Sequence, residues 1–509
     1  MSEKRSSGIT ESYWLRSPRP VYEALDADVS TDLCVIGAGI AGLTTAYLAA
    51  QTGRRVVVLD QGQIASGESG RTTAHLVNAL DDRYFELERL HGARGAQLAS
   101  HSHSAAIDRI EEIVRQENIE CDFERLTGYL FVPEGESGDL LDREMAAAQR
   151  AGLRDVHRVP VAKGLVGSGP ALAFPHQAQF HPMLYLAGVA RAIERLGGRI
   201  FTGTHASVVQ DGVPAMVKTE RGKTVQAQDV VIATNTPSHD RIVLHTKQAP
   251  YRSYVVGFAV PAGQTPHALW WDTEEPYHYA RIAGALDAAT ECLIVGGEDH
   301  KTGQANDGGQ RLRSLEQWTR RHFPMAQAAR FHWSGQIMEP SDGLAFIGRN
   351  PGDHHVFIVT GDSGNGMTHG TIAGILLNDL IAGKANPWAD LYDPKRKSLR
   401  ALAEFGQENA NVSAQYADWL TRGEVHSIDE IAANSGAIVR QGLHKLAVYR
   451  DRDGTAHSLS ARCPHLDCIV HWNAMENSWD CPCHGSRFDA YGKLLNGPAN
   501  SDLKPFDKR

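Results

Sequence analysis

Two cysteine and histidine pairs near the carboxyl terminus are the residues whose chemistry is easiest to infer. Cys463 and His465 are separated by one proline, and Cys481 and His484 follow after residues 466–480. Two thiolates suit an iron that stays ferric, and two neutral imidazoles suit the neighbouring iron that accepts an electron. Such a [2Fe-2S] cluster has a potential of roughly −150 to +300 mV, against about −400 mV with four thiolates. The alternative is a tetrahedral zinc site, but zinc fingers usually pair cysteine with cysteine and histidine with histidine.

A second motif with a defined chemistry lies near the amino terminus. Gly37, Gly39 and Gly42 follow an apolar strand, and a helix predicted over Leu43–Gln51 and a second strand ending at Asp60 come next. Glycines at this spacing let the backbone approach a pyrophosphate at a helix N-terminus, and the acid about twenty residues further on binds a ribose hydroxyl. The sequence therefore predicts a dinucleotide-binding unit in which these glycines and Asp60 contact the cofactor.

Residues 33–50 carry no charge, which is also typical of a membrane-spanning helix. The glycines in this run instead favour a buried strand and a helix packed on a parallel sheet. Residues 1–30 are charged and contain no hydrophobic signal region. We therefore expect a cytoplasmic protein without a transmembrane segment. A net charge of −9 without a basic cluster argues against nucleic-acid binding.

The carboxyl-terminal motif resembles the Rieske family over residues 427–509. The resemblance implies a small all-β domain whose cluster ligands are Cys463, His465, Cys481 and His484. It also implies a disulfide between Cys468 and Cys483, and a Ser486 hydroxyl that hydrogen-bonds a bridging sulfide. Phe488 stands where respiratory members have a tyrosine that donates to a cysteine sulfur, so we expect a potential below theirs.

Residues 31–393 resemble the glycine oxidase and D-amino-acid oxidase family of FAD enzymes. The segments that carry the resemblance are 67–74, 181–202, 230–235, 333–348 and 356–367. It implies an α/β FAD-binding domain, Rossmann-like and of the glutathione-reductase type, with an antiparallel-sheet substrate domain. It further implies FAD contacts from Ser69, Arg71, Thr72, Thr73, Ala206, Gly361, Gly364, Gly366 and Met367. A helix predicted over 371–381 should point its N-terminus at the flavin and stabilise negative charge there.

Two features depart from the family pattern. Gln336 stands where many amine-oxidising members have an arginine after the Trp-x-Gly motif, which argues against a classical amino-acid substrate. No second dinucleotide motif with an acidic or basic partner occurs, and we interpret Gly296 and Gly297 as a turn after a strand. An enzyme fed by NADPH is therefore disfavoured.

Candidate catalytic residues lie in and beside the segment expected to cover the flavin. Tyr277, Tyr279 and Arg281 alternate along a predicted strand, so they share one face. This face is either a pocket for an anion or a carbonyl or a partly solvated sheet surface. His75 and His369 adjoin predicted flavin-contacting segments and are candidate proton acceptors, although lone histidines are more often structural. We predict Tyr279, Arg281, His75 and His369 as catalytic residues.

A chain of 509 residues is too long for one ordinary domain. We predict a lead segment (1–30), interleaved FAD-binding and substrate domains (31–393), a linking helical segment interrupted at Gly406 (394–426), and a Rieske domain (427–509). Of the seven cysteines, four lie in the cluster region, which indicates cofactor chemistry rather than a secreted disulfide scaffold.

The leading hypothesis is an FAD-dependent oxidoreductase that oxidises a small amine or amino-acid-like substrate. Electrons would pass singly from the flavin to a Rieske [2Fe-2S] cluster and on to an external acceptor. A second hypothesis reverses the flow, so that an external donor protein feeds the flavin through the cluster. A third is an electron-transfer adaptor without a small-molecule substrate.

Overall fold

The computed structural model describes residues 7–237, 244, 246–397 and 402–506. Residues 1–6 of the predicted lead segment, 398–401 of the predicted linking segment and 507–509 of the predicted Rieske domain lie outside the described residues. The helices, in chain order, are α1 (Ile40–Gln51), α2 (Tyr84–Glu117), α3 (Asp139–Arg150), α4 (Pro182–Arg195), α5 (Gly308–His322), α6 (Gly366–Ile381), α7 (Ala389–Tyr392) and α8 (Leu402–Gln415).

The strands, in chain order, are β1 (Val29–Ile36), β2 (Val56–Leu59), β3 (His75–Leu76), β4 (Glu124–Pro133), β5 (His157–Val159), β6 (Ser168–Gln179), β7 (Arg199–Phe201), β8 (Ala206–Gln210), β9 (Ala215–Thr219), β10 (Thr224–Ile232), β11 (Gln248–Pro261), β12 (Leu269–Asp272), β13 (His278–Ala285), β14 (Thr290–Lys301), β15 (Ala329–Pro340), β16 (Phe346–Arg349), β17 (Val356–Thr360), β18 (Ser435–Gln441), β19 (His444–Arg450), β20 (Ala456–Ser460), β21 (His471–Asn473), β22 (Ser478–Asp480), β23 (Arg487–Asp489) and β24 (Leu494–Asn496).

A mostly parallel sheet has the spatial order β16-β17-β10-β1-β2-β7, with β9 and β8 extending from β10. Strands β17, β10, β1, β2 and β7 are parallel. Strands β2 and β17 are buried at every residue, as expected of a parallel sheet covered on both faces. Gly37, Asp60 and Gly361 follow β1, β2 and β17, so they meet at the carboxyl edge of the sheet, where open α/β sheets bind ligands.

Helices α1 and α6 pack against each other with glycine at the contact. A Cβ atom on Gly370 would lie 2.6 Å from Ile40 Cγ2, and one on Gly374 would lie 2.5 Å from Thr44 Cγ2. Helix α6 begins at Gly366, so the prediction that it starts at residue 371 is wrong, as is the prediction that α1 starts at Leu43. In both cases the glycine-rich stretch already contains the first helical turn: Gly370 of α6 lies against α1, and Gly42 of α1 lies against the Gly37 carbonyl oxygen.

A second, mostly antiparallel sheet has the order β15-β11-β14-β13-β12-β4-β6-β3, with β5 paired to β6. Gly296 and Gly297 lie inside β14, so their interpretation as a turn is wrong. The physical reason is cross-strand packing: Gly296 pairs with Tyr279, and a Cβ atom on Gly296 would lie 2.4 Å from that tyrosine ring. The glycine therefore makes room for the Tyr279 side chain.

The carboxyl-terminal region contains a three-stranded sheet (β18-β19-β20) and a four-stranded sheet (β21-β22-β23-β24), both antiparallel. Helix α8 runs through Gly406, so the predicted interruption there is wrong; an exposed helical glycine costs only about 1 kcal/mol. Val412 of α8 packs on the core of this region. The predicted fold class is confirmed. Among the described residues, no helix is long and apolar enough to cross a membrane.

Candidate active site at the interface of two domains

One cavity lies at the carboxyl edge of the parallel sheet and reaches the second sheet. Most of the predicted cofactor-contacting residues line it, namely Gly37, Gly39, Asp60, Ser69, Arg71, Thr72, Thr73, Ala206, Gly361, Gly364, Gly366 and Met367. Gly42 does not line it. A Cβ atom there would lie 1.9 Å from the Gly37 carbonyl oxygen, so this glycine permits close packing of α1 on β1.

The nucleotide end of the cavity fits a dinucleotide. The Asp60 carboxylate accepts hydrogen bonds from the backbone N–H groups of Ala38 and Gly62, both at 2.7 Å, and burial raises its pKa. The Ser69 hydroxyl oxygen accepts from the N–H of Ile40, the first residue of α1. Among the described residues, Asn235 Nδ2 is buried and has no hydrogen-bond partner, although Asn235 lines the cavity. A buried donor without a partner in the cavity lining suits a ligand rich in acceptors.

The opposite end of the cavity carries two tyrosines and a carboxyl group. Tyr277, Tyr279 and Asp81 line it, Asp81 is hydrogen-bonded with Tyr277, and the two tyrosine ring centroids are 5.5 Å apart. Asp362 also lines the cavity, and its carboxylate accepts from the Met338 N–H at 3.1 Å. The hydroxyl of Tyr279 is 2.9 Å from Ser253 Oγ. Burial raises the pKa of Asp81 to about 7 and that of Asp362 to about 6. This end is therefore polar and acidic.

The described lining of the cavity contains few basic side chains. Arg71 is the only arginine or lysine among the described residues of the lining. Its terminal nitrogens donate to Thr10, to the Ser334 carbonyl at 2.8 Å and to the Glu476 carboxylate at 3.2 Å. Arg281 is buried outside this lining and donates to the backbone carbonyls of residues 73, 74, 180 and 282. This position does not support the predicted contact between Arg281 and a substrate.

Both predicted histidines line the cavity and are held uncharged by burial. Burial lowers the pKa of His75 to about 3, and its ring nitrogens lie 3.1 Å from Thr73 Oγ1 and 3.3 Å from the Ala280 carbonyl oxygen. Burial lowers the pKa of His369 to about 4, and its Nδ1 lies 2.8 Å from the Asp362 carbonyl oxygen. Their catalytic roles stay predictions.

The cysteine and histidine pairs lie on two loops that face each other. Cluster loop 1 is residues 463–468, and cluster loop 2 is residues 481–486. The Cys463 and Cys481 thiols are hydrogen-bonded to each other, and the His465 and His484 ring centroids are 5.1 Å apart. Two thiols and two imidazoles converging in this way fit the mixed ligand set of a [2Fe-2S] cluster.

Several further contacts fix the geometry of the two cluster loops. Cys468 and Cys483 form a disulfide, with Cα atoms 6.4 Å apart, as the family resemblance implied. Ser486 is fully buried, and its hydroxyl oxygen accepts from the Ala499 N–H at 2.9 Å. Phe488 is fully buried in the core of the same domain.

Cluster loop 2 lies directly against the part of the chain that lines the cavity. Gln336, which lines the cavity, donates from Nε2 to the Gly485 carbonyl oxygen at 3.0 Å. A Cβ atom on Gly485 (φ +80°) would lie 2.6 Å from Pro250 Cβ and 2.9 Å from Gln336 Nε2. The residue that departs from the family pattern therefore connects the cavity with the cluster loop.

A buried ionic network surrounds this contact. Arg71 pairs with Glu476 at 3.2 Å and Arg487 with Asp480 at 3.0 Å, and all four side chains are at most 2 % exposed. Arg252, also fully buried, donates to Ser334 Oγ at 3.0 Å, and Ser334 Oγ donates to Glu476 at 2.5 Å. The network joins residues that are hundreds of positions apart in sequence.

Sequence reasoning missed several residues of the site. Asp81 and Asp362 line the cavity, and the segment 494–499 of the cluster domain contributes Leu494, Leu495, Asn496, Gly497 and Ala499 to it. Asp362 stands between two residues predicted to contact FAD, which is a signal that could have found it. For segment 494–499 no local signal exists, because its role depends on how the two domains pack.

The comparisons with known proteins agree with this geometry. The model of the FAD dependent oxidoreductase family (DAO) matches residues 32–380, and the Rieske [2Fe-2S] domain model matches residues 421–507. YhfW of Bacillus subtilis, named as a Rieske 2Fe-2S iron-sulfur protein, is 30% identical over 510 residues, covering 98% of this chain and 97% of YhfW. The gamma-glutamylputrescine oxidoreductase of Escherichia coli is 25% identical over 74% of this chain and 90% of its own length. Glycine oxidase from Geobacillus kaustophilus superposes with a TM-score of 0.62 at 18% identity, over 72% of this chain and 99% of that chain.

Fold and site together define a flavin-dependent oxidoreductase with an iron-sulfur domain. The chain belongs to the FAD dependent oxidoreductase (DAO) family and carries a carboxyl-terminal Rieske [2Fe-2S] domain. Its cofactors are FAD and a [2Fe-2S] cluster, as the sequence predicted.

Proposed function

We propose that the enzyme oxidises a small cationic amine. Bound FAD would take up two electrons from the substrate, and the Rieske cluster would relay them singly to an external acceptor. The observation that carries this proposal is the direct contact between the cavity and cluster loop 2, through Gln336 and Gly485. This contact supports electron exchange within one chain.

The charge of the cavity supports an amine over an amino acid. A substrate carboxylate would need a cationic partner, but the charge of Arg71 is already paired with Glu476, and of its three nitrogens only Nε has no hydrogen-bond partner among the described residues. Asp81 and Asp362 instead offer carboxyl groups to a positive charge. One relative is named for gamma-glutamylputrescine, which is an amine.

Asp81 is suited to hold and accept a proton. Burial raises its pKa to about 7, and a hydrogen bond with Tyr277 opposes that shift. A group whose pKa lies near the working pH is an efficient general base. We propose that the Asp81 carboxylate binds the substrate ammonium and accepts one of its protons, which leaves a neutral amine for oxidation. Tyr277 and Tyr279 would orient the substrate between the two sheets.

Anaerobic mixing of the purified holoenzyme with candidate substrates tests the proposal. We expect monoamines or diamines to bleach the flavin absorbance first and then to produce the EPR signal of the reduced cluster. Amino acids with a free α-carboxylate should react more slowly. Reduction of the cluster only by ferredoxin-like donors, with no bleaching by any amine, would support the reverse flow of electrons and refute the proposal.

A further inference from the structure

The iron-sulfur domain contributes a wall to the cavity that holds the dinucleotide. Segment 494–499, which comprises β24 and the three residues after it, supplies Leu494, Leu495, Asn496, Gly497 and Ala499 to the lining. Asn496 and Ala499 are 8% and 3% exposed. The segment is therefore a packed surface of the cavity and not a solvent-exposed loop beside it.

Contacts across the domain boundary place this segment at the nucleotide end of the cavity. Gln61, which directly follows Asp60, donates from Nε2 to the Leu495 carbonyl oxygen at 2.9 Å. Thr236 Oγ1 donates to Asn496 Oδ1 at 3.3 Å. Both contacting residues line the cavity too, and Gln61 adjoins Asp60 in the chain.

The packing at Gly497 leaves little room for change. A Cβ atom at this position would lie 3.0 Å from Thr236 Oγ1. Thr236 in turn follows Asn235, whose buried side-chain nitrogen has no partner among the described residues. A side chain at residue 497 would therefore contact Thr236, next to Asn235, whose buried donor without a partner indicates a ligand.

The same segment is tied to cluster loop 2. The Ala499 N–H donates to Ser486 Oγ at 2.9 Å, and the Ser486 carbonyl oxygen accepts from the Cys481 N–H at 2.8 Å. Ser486 is fully buried. Movement of cluster loop 2 would therefore move the segment, and displacement of the segment would disturb the loop.

We propose that segment 494–499 is a binding element for the FAD nucleotide, and that the Ala499 to Ser486 hydrogen bond couples FAD binding to the conformation of the cluster loop. The FAD site would then be incomplete without the iron-sulfur domain. By thermodynamic linkage, loss of the cluster-loop conformation should weaken FAD binding, and loss of FAD should loosen the cluster loop by the same factor.

Full-length variants test the proposal by FAD affinity, measured by titrating flavin-free protein with FAD and following flavin fluorescence. We expect Asn496→Ala and Gly497→Val to raise the Kd for FAD about tenfold or more. Ser486→Ala, which removes the acceptor of the Ala499 N–H, should raise it several-fold. Lys493→Ala is the matched control, because that side chain is 73% exposed one residue before the segment and should leave the Kd unchanged.

The cluster EPR spectrum reports in each variant whether the iron-sulfur domain has folded. A normal cluster spectrum with a wild-type Kd for FAD in both segment variants would overturn the proposal. Should the variants lose the cluster, hydrogen exchange of the wild-type protein decides the question. FAD added to flavin-free protein should protect the backbone of residues 494–499, and the absence of such protection would also overturn it.

Discussion

Replacing Glu476 by glutamine should separate the contribution of charge from that of shape at the domain interface. Glu476 is fully buried among Arg71, Arg252 and Arg487, and Asp480 and Glu68 are further acids that act on Arg252 and Arg487. Three arginines therefore face three carboxylates. Glutamine keeps the size and most hydrogen bonds of Glu476 but leaves one buried positive charge in excess.

The magnitude follows from the pKa of Glu476. Burial alone would raise this pKa, yet Arg71, Arg252 and Arg487 lower it from 4.5 to about 2. A difference of about 2.5 units corresponds to roughly 3 kcal/mol at neutral pH, in line with the 3–5 kcal/mol typical of breaking a buried ion pair. Glu476→Gln should therefore destabilise the folded protein by about 3 kcal/mol.

The pH dependence has a definite sign. Because the folded pKa is depressed, the stabilisation is fully present above the unfolded value of 4.5 and is lost as pH falls towards about 2. The difference in stability between wild type and Glu476→Gln should thus be constant from pH 8 to about pH 5. Below that it should shrink, since protonated glutamate resembles glutamine.

Urea titration of the holoenzyme, followed by flavin release and by loss of cluster absorbance, measures the effect. Both midpoints should fall together, because the network holds both domains. Glu408→Gln is the control: Glu408 pairs with Lys301 at 2.7 Å, but both side chains are partly exposed, so the change should cost less than about 1 kcal/mol. Equal effects of the two variants would refute the reasoning.

Three further predictions concern the substrate, the domain contact and the cluster. Asp81→Asn should raise KM for amines about tenfold, because only the ionised carboxylate attracts a cation. In the wild type KM should fall as pH rises through about 7, and in the variant this fall should disappear. An unchanged pH profile of KM in the variant would contradict the prediction. Gln336→Leu should slow cluster reduction in stopped-flow mixing without slowing flavin bleaching, since the buried Gly485 carbonyl loses its donor at a cost of about 1–3 kcal/mol. Slowing of both steps alike would indicate a general structural defect. Phe488→Tyr should raise the cluster potential by about 40 mV, because one added hydroxyl donor is worth roughly 1 kcal/mol. A redox titration that shows no increase in potential would contradict this prediction.

The sequence predicted the parts of the site that depend on local spacing. The glycine turn with Asp60, and the cluster ligands on two short loops, are contiguous motifs whose chemistry depends on a few neighbouring residues. Alternation also placed Tyr277 and Tyr279 on one side of a strand, and both line the cavity. Arg281, on the same predicted face, does not line the cavity and donates instead to backbone carbonyls of residues 73, 74 and 180.

The remaining features depend on contacts between distant segments. Gln336 and Gly485 are 149 residues apart, and Arg71 and Glu476 are 405 apart. No pattern around any of these residues shows which partner it meets. Gln336 was visible in the sequence only as a departure from the family pattern, and its partner became clear only when the domains were seen together.

The polar character of this interface has a physical consequence for the relation between the two cofactor sites. An apolar interface of similar area would tolerate sliding of one domain over the other, because the hydrophobic effect has no direction. Buried ion pairs tolerate little displacement, since a charge that loses its partner stays desolvated and unpaired. Residues 7–10 add to this restraint: the Ser7 carbonyl oxygen accepts from Arg487 at 2.6 Å, and Thr10 Oγ1 donates to Glu476 at 2.6 Å. We infer that the network selects one docked arrangement, the one in which Gly485 reaches Gln336 and the cluster loop meets the flavin cavity.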